Sequence, residues 1–215
     1  QSFTRENISS QNNYKGYRLV ACDGSNLSIA TNPQDAETAW KNNQYGGITN
    51  HLHLNAFYDV LNRVYLDALL QTASEYQECR ACINMMERSS LDKVILVADR
   101  GYENYNVMAH AINKGWKFVI RIKDLGSNGI ASGLKLPKAD TFDTDVSLTF
   151  TRKQTKAAKE AGYKFMPSCQ TFDYLSTKST DTYTIKFRIT RFALSEDSYE
   201  LLITNLERSA FSTKD

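Results

Sequence analysis

Alternation of apolar and polar positions predicts a strand, a helix and a second strand in the middle of the chain. The run KVILVA (93–98) is apolar and rich in β-branched residues, as expected for a strand buried on both faces. In NYNVMAHAINKG (104–115) apolar residues recur at helical spacing between a capping Asn104 and a closing Gly115. WKFVIRIK (116–123) alternates apolar with basic residues, which is typical of a strand with one wetter face. Elements of these lengths predict two parallel strands joined by a right-handed crossover.

The N-terminal half carries further strand and helix patterns. GYRLVACDG (16–24) predicts a buried strand that ends in a turn, after which LSIA (27–30) returns antiparallel. The polar, turn-rich stretch 31–47 predicts a loop. Residues 54–70 have helical spacing, although the same residues also fit a hairpin of two strands, and 74–88 predicts an amphipathic helix.

After residue 124 the pattern changes to short alternating runs, which predict strands. They are DVSLTFTRK (145–153), YKFMPSCQTFDYL (163–175), YTIKFRITRFAL (183–194) and YELLITNL (199–206), with a hairpin turn at 195–198 and a short helix at 155–161. We therefore expect 126–200 to be a mostly β subdomain attached to an α/β core, preceded by a polar arm at 1–15.

Composition is ordinary for a soluble globular protein. Of the 215 residues, 41% are hydrophobic and 23% charged, and no apolar run approaches the roughly 20 residues of a membrane helix. We therefore expect no membrane partner. A start without Met indicates a piece of a longer protein. Net charge is +2, and the excess of Lys and Arg between Gly115 and Glu160 fits either a stripe along a phosphate backbone or a solvated face.

Cysteine and histidine spacing gives only weak signals for a metal. Cys79 and Cys82 form a CxxC on one face of the predicted helix, but no second pair lies at zinc-finger spacing. We therefore expect core thiols. His51 and His53 fit either an extra metal ligand or, more commonly, polar residues at a loop edge.

Two aspartates stand at the ends of predicted buried strands. Asp99 follows KVILVA, and Asp23 follows RLVAC. Ligands of open α/β sheets gather at such carboxyl ends, and paired carboxylates suit Mg²⁺ or Mn²⁺. Arg100 could bind phosphate in a bidentate manner, and Tyr102 could stack on a base. The alternative is that both aspartates are ordinary turn residues.

Four stretches, in order and spacing, resemble bacterial insertion-sequence transposases of the DDE type, specifically the IS-four group. DRGYENYNVMAHAINKGWKFVIRIKD (99–124) resembles the second signature of that group, and LVACDGSNLSI (19–29) resembles the first. HLHLNAFYDVLNRVYLDALLQ (51–71) is similar to the piece between them, and LLITNL (201–206) to the strand before the third acid.

The resemblance implies a ribonuclease-H-like fold: an α/β mixed sheet flanked by helices, with a mostly β insertion subdomain. The catalytic core would then be 16–125, the insertion 126–200, and 201–215 the return to the core. Because this fold opens with a three-stranded meander, we expect strands over 54–70, against the helical periodicity. No internal Glu fits the third acid of the family, so we expect a fragment truncated before the last catalytic helix.

The resemblance also implies a site and an activity. Asp23 and Asp99 match the first two acids of the DDE triad, which would bind Mg²⁺ or Mn²⁺ and support DNA strand cleavage and strand transfer at transposon ends. Contacts to DNA are expected from residues near the second acid and from the following basic strand, namely Arg100, Tyr102, Lys117, Arg121 and Lys123.

Partners and location follow from the same resemblance. We expect double-stranded DNA as the partner, a DNA-bridged homodimer for the full-length protein, a bacterial cytoplasm with nucleoid association, and no activity from the fragment alone. The rival readings are a decayed or domesticated remnant that only binds DNA, and a Mg²⁺-dependent phosphohydrolase. The latter would need an enclosed pocket.

Overall fold

The computed structural model describes residues 12–41, 47–196 and 198–213. The chain divides into two compact units between Tyr102 and Glu103. Each unit is described by itself. The predicted polar arm 1–15 lies largely outside the described residues.

The first unit is a mixed sheet with one α-helix. Its elements are β1 (Arg18–Ile29), β2 (Ala39–Lys41), β3 (Ile48–Asp59), β4 (Val64–Gln71), α1 (Glu78–Arg88), β5 (Val94–Ala98) and a 3₁₀ turn (Arg100–Tyr102). Strand β1 lies between β5, which runs parallel to it, and β3, which runs antiparallel. The other edge of β3 pairs antiparallel with both β2 and β4.

Strand β1 is longer than the sequence predicted. The expected turn near Gly24 is wrong, because the strand continues to Ile29 and LSIA does not return. Its partner β3 has 12 residues and pairs with it from Val20↔Asp59 to Ile29↔Asn50. Pairing along this whole length satisfies the backbone groups that a turn would have left for water.

The expectation of strands over 54–70 is confirmed by β3 and β4. Hydrophobic periodicity pointed to a helix because the buried face of β3 is partly polar. His53, Asn55 and Asp59 are buried together with Phe57 at every second position. Asp59 is fully buried and pairs with Arg18 at 2.5 Å. When these buried polar residues are taken as solvent-facing, the alternation of buried and exposed positions that is typical of a strand cannot be recognised.

Helix α1 confirms the amphipathic helix predicted near 74–88, although it starts at Glu78. Its buried face packs on β3 and β4 and consists of Ala81, Cys82, Ile83, Met85 and Met86. The four cysteines are free; Cys22 and Cys82 are buried, as expected for core thiols.

The second unit is also a mixed sheet with short helices. Its elements are α2 (Tyr105–Asn113), β6 (Lys117–Arg121), a 3₁₀ turn (Ala131–Gly133), β7 (Phe142–Thr151), α3 (Lys156–Glu160), β8 (Lys164–Phe165), β9 (Thr182–Ser195) and β10 (Ser198–Thr204). The strand order is β6-β10-β9-β7-β8, antiparallel except for the parallel pair β7 and β8. The predicted α/β class with a mixed sheet is confirmed.

Local signals at α2 behave as the sequence predicted. The Asn104 side chain accepts a hydrogen bond from the Asn106 N–H at 2.8 Å, and Gly115 follows the helix at φ +74°. Strand, helix and strand follow one another as expected in β5, α2 and β6. Parallel pairing of β5 with β6 would join the two units and stays a prediction, as do the boundaries of the insertion 126–200.

The prediction of a strand over 163–175 is wrong except at Lys164–Phe165. The rest is a loop wrapped around the buried Arg152 guanidinium. This group donates hydrogen bonds to the carbonyl oxygens of Met166, Pro167, Gln170, Phe172 and Leu175. One charged side chain thus satisfies the backbone acceptors that a sheet ladder would otherwise have paired.

No helix in the described part of the chain is long and apolar enough to cross a membrane.

Candidate metal centre at two strand ends

Asp23 and Asp99 lie at the same level of neighbouring parallel strands. The ladder between β1 and β5 ends at the pair Cys22↔Ala98, and each aspartate is the next residue of its chain. Strands that pair in this way run about 5 Å apart. Beyond this point β1 continues alongside β3, whereas the chain after Asp99 enters the 3₁₀ turn. The two carboxylates therefore leave adjacent backbones at one edge of the sheet.

Both side chains are exposed, and each uses one oxygen to accept a hydrogen bond from a backbone N–H close after it. Asp23 Oδ1 accepts from the Gly24 N–H, and Asp99 Oδ1 from the Gly101 N–H, both at 2.8 Å. Within the described residues neither carboxylate forms an ion pair, and neither Oδ2 accepts a hydrogen bond. Exposed carboxylate oxygens without a cation are the donors that Mg²⁺ and Mn²⁺ prefer. The pair fits such an ion.

A third ligand is not found around this pair. Among the residues that the structure describes, no group of three or more His, Cys, Asp or Glu side chains is arranged to hold a metal ion. The two aspartates therefore form a half-site.

Asp23 borders an open groove on one face of the first sheet. The groove has a volume of about 310 Å³, and its lining includes Ala21, Ser25, Ala56, Tyr58 and Tyr65. The rings of Tyr58 and Tyr65 contact edge to face, with centroids 5.0 Å apart, and Tyr65 is 71% exposed. The carboxylate thus faces a shallow, solvent-filled surface and no enclosed cavity.

The sheet face opposite to the two aspartates is largely buried, and several thiols lie there. Burial, followed by the charges of Glu78, Cys22 and Asp99, raises the pKa of Cys79 to about 11. The Cys22 thiol and burial also raise the pKa of Cys82 well above its usual value. Thiols with raised pKa values stay protonated near neutral pH, and metals bind the thiolate form. These residues pack the core.

Arg100 and Tyr102, predicted to contact DNA, lie in very different environments. Arg100 is exposed in the 3₁₀ turn directly after Asp99. Tyr102 is only 1% exposed, and burial raises its hydroxyl pKa, with Cys22 and Cys82 contributing. A contact between this ring and DNA would require the ring to leave the core.

The other three predicted DNA contacts belong to the second unit. Lys117 forms an ion pair with Glu207, and Arg121 forms one with Glu200. Lys123 is exposed, and its Nζ donates to the Asn128 carbonyl at 3.4 Å. Two of the three charges are therefore partly neutralised within this unit.

Sequence reasoning missed the importance of His53 and Glu78 for this site. His53 is neither a loop-edge residue nor an exposed ligand, because it lies in β3 and is 4% exposed. Its Nε2 lies 3.2 Å from Glu78 Oε1, at the start of α1. The signal that could have revealed them is a glycine close after each aspartate, at Gly24 and Gly101, which indicates that something packs closely there.

Comparison with known proteins places most of the described chain in one family. The model of the transposase DDE domain matches residues 14–210. Among solved structures, the cryo-electron-microscopy structure of a piggyBac transposase synaptic complex with hairpin DNA is similar, with a TM-score of 0.52 at 6% identity. The similarity covers 88% of this chain and 33% of that one, so this chain spans about a third of that protein's length.

At this identity the structural similarity concerns the fold alone. No curated protein matches the sequence. The family model, in contrast, covers most of the chain and includes both strand-end aspartates. The chain belongs to the transposase DDE domain family.

Proposed function

We propose that this chain is a catalytic-domain fragment of a DDE transposase, an enzyme that cuts a DNA strand at a transposon end and joins the freed 3′-hydroxyl to target DNA. The observation that carries the proposal is the pair Asp23 and Asp99, exposed at the same level of two neighbouring strands without a cation partner among the described residues. Membership of the transposase DDE domain family supports it.

The chemistry assigned to each residue follows from its position. The free carboxylate oxygens of Asp23 and Asp99 would hold Mg²⁺ or Mn²⁺. Such an ion, when bound, makes water a better nucleophile and neutralises charge on phosphate oxygens. Arg100, exposed beside Asp99, would bind a phosphate of the cut strand through its planar fork. Positioning and charge neutralisation account for most of the catalysis of phosphoryl transfer.

Narrower assignments are also part of the proposal. The order of the signatures supports the IS-four group of bacterial insertion sequences, hence a bacterial cytoplasm and nucleoid as the location. Double-stranded DNA is the proposed partner, bridging two copies in the active assembly. The two aspartates need a third acid to complete the triad, so we expect the chain by itself to bind metal without cutting DNA.

A small-molecule phosphohydrolase is less well supported. That activity requires a pocket that encloses its substrate. Asp23 instead lies beside an open groove on a sheet face. A long, charged polymer fits such a surface better than a small molecule does.

The proposal is tested by Mn²⁺ binding to this chain, measured by electron paramagnetic resonance and calorimetry. We expect the wild type to bind Mn²⁺ and Asp23→Asn or Asp99→Asn to lose binding, because each variant replaces an anionic oxygen ligand by a neutral amide. The matched control is Asp92→Asn, an exposed carboxylate in the loop before β5. Equal binding by all four proteins would contradict the proposal.

A further inference from the structure

The first turn of α1 reaches the backbone that follows both candidate metal ligands. A Cβ atom placed on Gly24 would lie 2.8 Å from Glu78 Oε1, and one placed on Gly101 would lie 3.2 Å from Glu78 Oε2. The neighbouring Cys79 thiol donates a hydrogen bond to the Gly101 carbonyl at 3.4 Å. One carboxylate therefore packs against the strand backbone after Asp23 and the turn after Asp99.

His53 fixes the position of that carboxylate. The imidazole is 4% exposed, with Nδ1 2.8 Å from Asn26 Oδ1 and Nε2 3.2 Å from Glu78 Oε1. Its ring also packs edge-on against Tyr76, with centroids 4.5 Å apart. The approach to Glu78 is close packing, because His53 Nε2 has no hydrogen-bond partner among the described residues. The buried ring has little freedom, so it restricts Glu78 to the space beside the two glycines.

Both glycines are required for steric reasons. A Cβ on Gly24 would lie 2.4 Å from His53 Nε2, and one on Gly101 would lie 3.1 Å from Asp99 Oδ1. Neither glycine has a positive φ, so their use here does not depend on the left-handed conformation. It reflects how closely side chains of α1 and β3 approach the backbone at these two glycines.

We propose that Glu78, packed against His53, is a positioning residue that sets the strand backbone after Asp23 and the turn after Asp99 so that both carboxylates face one metal ion. This inference rests on the proposed function. Glu78 is connected to each aspartate through one glycine, because each aspartate accepts a hydrogen bond from the N–H of the glycine that Glu78 contacts. Groups that orient metal ligands in this way typically change metal affinity by about 10- to 100-fold when removed.

The first measurement is Mn²⁺ affinity of the chain with Glu78→Ala and Glu78→Gln. Glu78→Ala empties the space beside both glycines, so we expect affinity to fall about tenfold. Glu78→Gln keeps the volume and an oxygen opposite His53 Nε2, so it should retain most of the wild-type affinity. Glu87→Ala, exposed at the far end of the same helix, is the control. An equal loss in Ala and Gln variants would mean that Glu78 acts through its charge, and would overturn the positioning role.

The second measurement compares the Mn²⁺ affinities of two glycine variants. Gly24→Ala should weaken Mn²⁺ binding at least as much as Glu78→Ala. Gly47→Ala should have no effect, because a Cβ there has no atom within 4 Å. Thermal unfolding of each variant identifies any that fail to fold. Identical Mn²⁺ affinities for the two glycine variants would contradict the inference.

A measurement made without metal tests this inference independently of the proposed function. Amide resonances of Gly24 and Gly101 report their hydrogen bonds to Asp23 and Asp99. We expect both to shift and to exchange faster in Glu78→Ala but not in Glu87→Ala. If the wild type binds no Mn²⁺ and the amides still respond, the metal proposal fails and the positioning role stands. If the amides do not respond, the positioning role fails.

Discussion

Asp23 and Asp99 of the first unit and Asp143 of the second unit have opposite environments. In the first unit, Asp23 and Asp99 are exposed and pair with no cation among the described residues. In the second unit, Asp143 is 21% exposed and accepts hydrogen bonds from both Arg188 and Arg208, at 2.7 to 3.1 Å. The Arg188 side chain is itself only 5% exposed.

This difference separates carboxylates that hold the protein together from carboxylates available to a ligand. Burial alone would raise the pKa of Asp143, but the hydrogen bonds and charges of Arg208 and Arg188 together lower it. Its charge is therefore already compensated inside the unit. At Asp23 and Asp99 no cationic side chain of a described residue compensates the charge, which under the proposed function would be compensated by a divalent cation.

The largest expected effect on stability is that of Asp143→Asn. The substitution replaces the anionic partner of the buried Arg188 guanidinium with a neutral amide, beside the carbonyl oxygens of Leu206 and Phe211. We expect the free energy of unfolding to fall by about 3 kcal/mol, as for other broken buried pairs. Urea titration measures it. The control is Asp145→Asn, whose partner is Arg208 and whose side chain is 72% exposed, so it should cost under about 1 kcal/mol. Equal costs would refute the comparison.

Stability should also depend on pH through Asp143. Its pKa in the folded protein is lower than the ordinary value of 3.8 for an aspartate. The stabilisation is therefore fully present above pH 3.8 and is lost as the pH falls through the folded pKa. The difference in unfolding free energy between wild type and Asp143→Asn should stay constant from pH 7 to pH 5 and shrink below pH 3.8. A constant difference down to pH 3 would show that the pKa is not lowered.

The smallest expected effect is that of Asp23→Asn or Asp99→Asn on stability without metal. An asparagine retains the Oδ1 acceptor for the following glycine, and no ion pair with a described residue is lost. We expect the free energy of unfolding to change by no more than about 0.5 kcal/mol. A cost comparable with that of Asp143→Asn would mean that these aspartates are structural. The measurement is urea unfolding in the presence of a chelator.

Sequence patterns predicted well where a local cause decides the structure. Asn104 caps α2, and Gly115 takes the left-handed conformation after it, because both are effects of a few neighbouring residues. The apolar run of β5 also formed the expected strand. In contrast, the hydrophobic pattern of β3 suggested a helix, since its buried face includes Asn55 and Asp59, which are satisfied by Gln71 and Arg18 from distant parts of the chain.

The candidate site shows the same division. The sequence alone identified Asp23 and Asp99, because an aspartate directly after a buried apolar run is visible in one dimension. It did not identify Glu78, which lies beside Gly24 and Gly101 only because α1 packs on the sheet. Likewise, nothing in the order of residues shows that Tyr102 is buried while Arg100, two residues earlier, is exposed.

By itself, then, the sequence determined the element types set by short-range preferences, the family signatures and the two acids that follow buried apolar runs. Only the tertiary structure decided which carboxylates keep a free charge and which are neutralised by arginine. It also decided why glycine stands next to Asp23 and close after Asp99. The physical reason is that charge compensation and close packing depend on contacts between residues far apart in the chain, such as Arg188 with Asp143 and His53 with Glu78. The spacing of hydrophobic residues along the sequence does not show which of these contacts form.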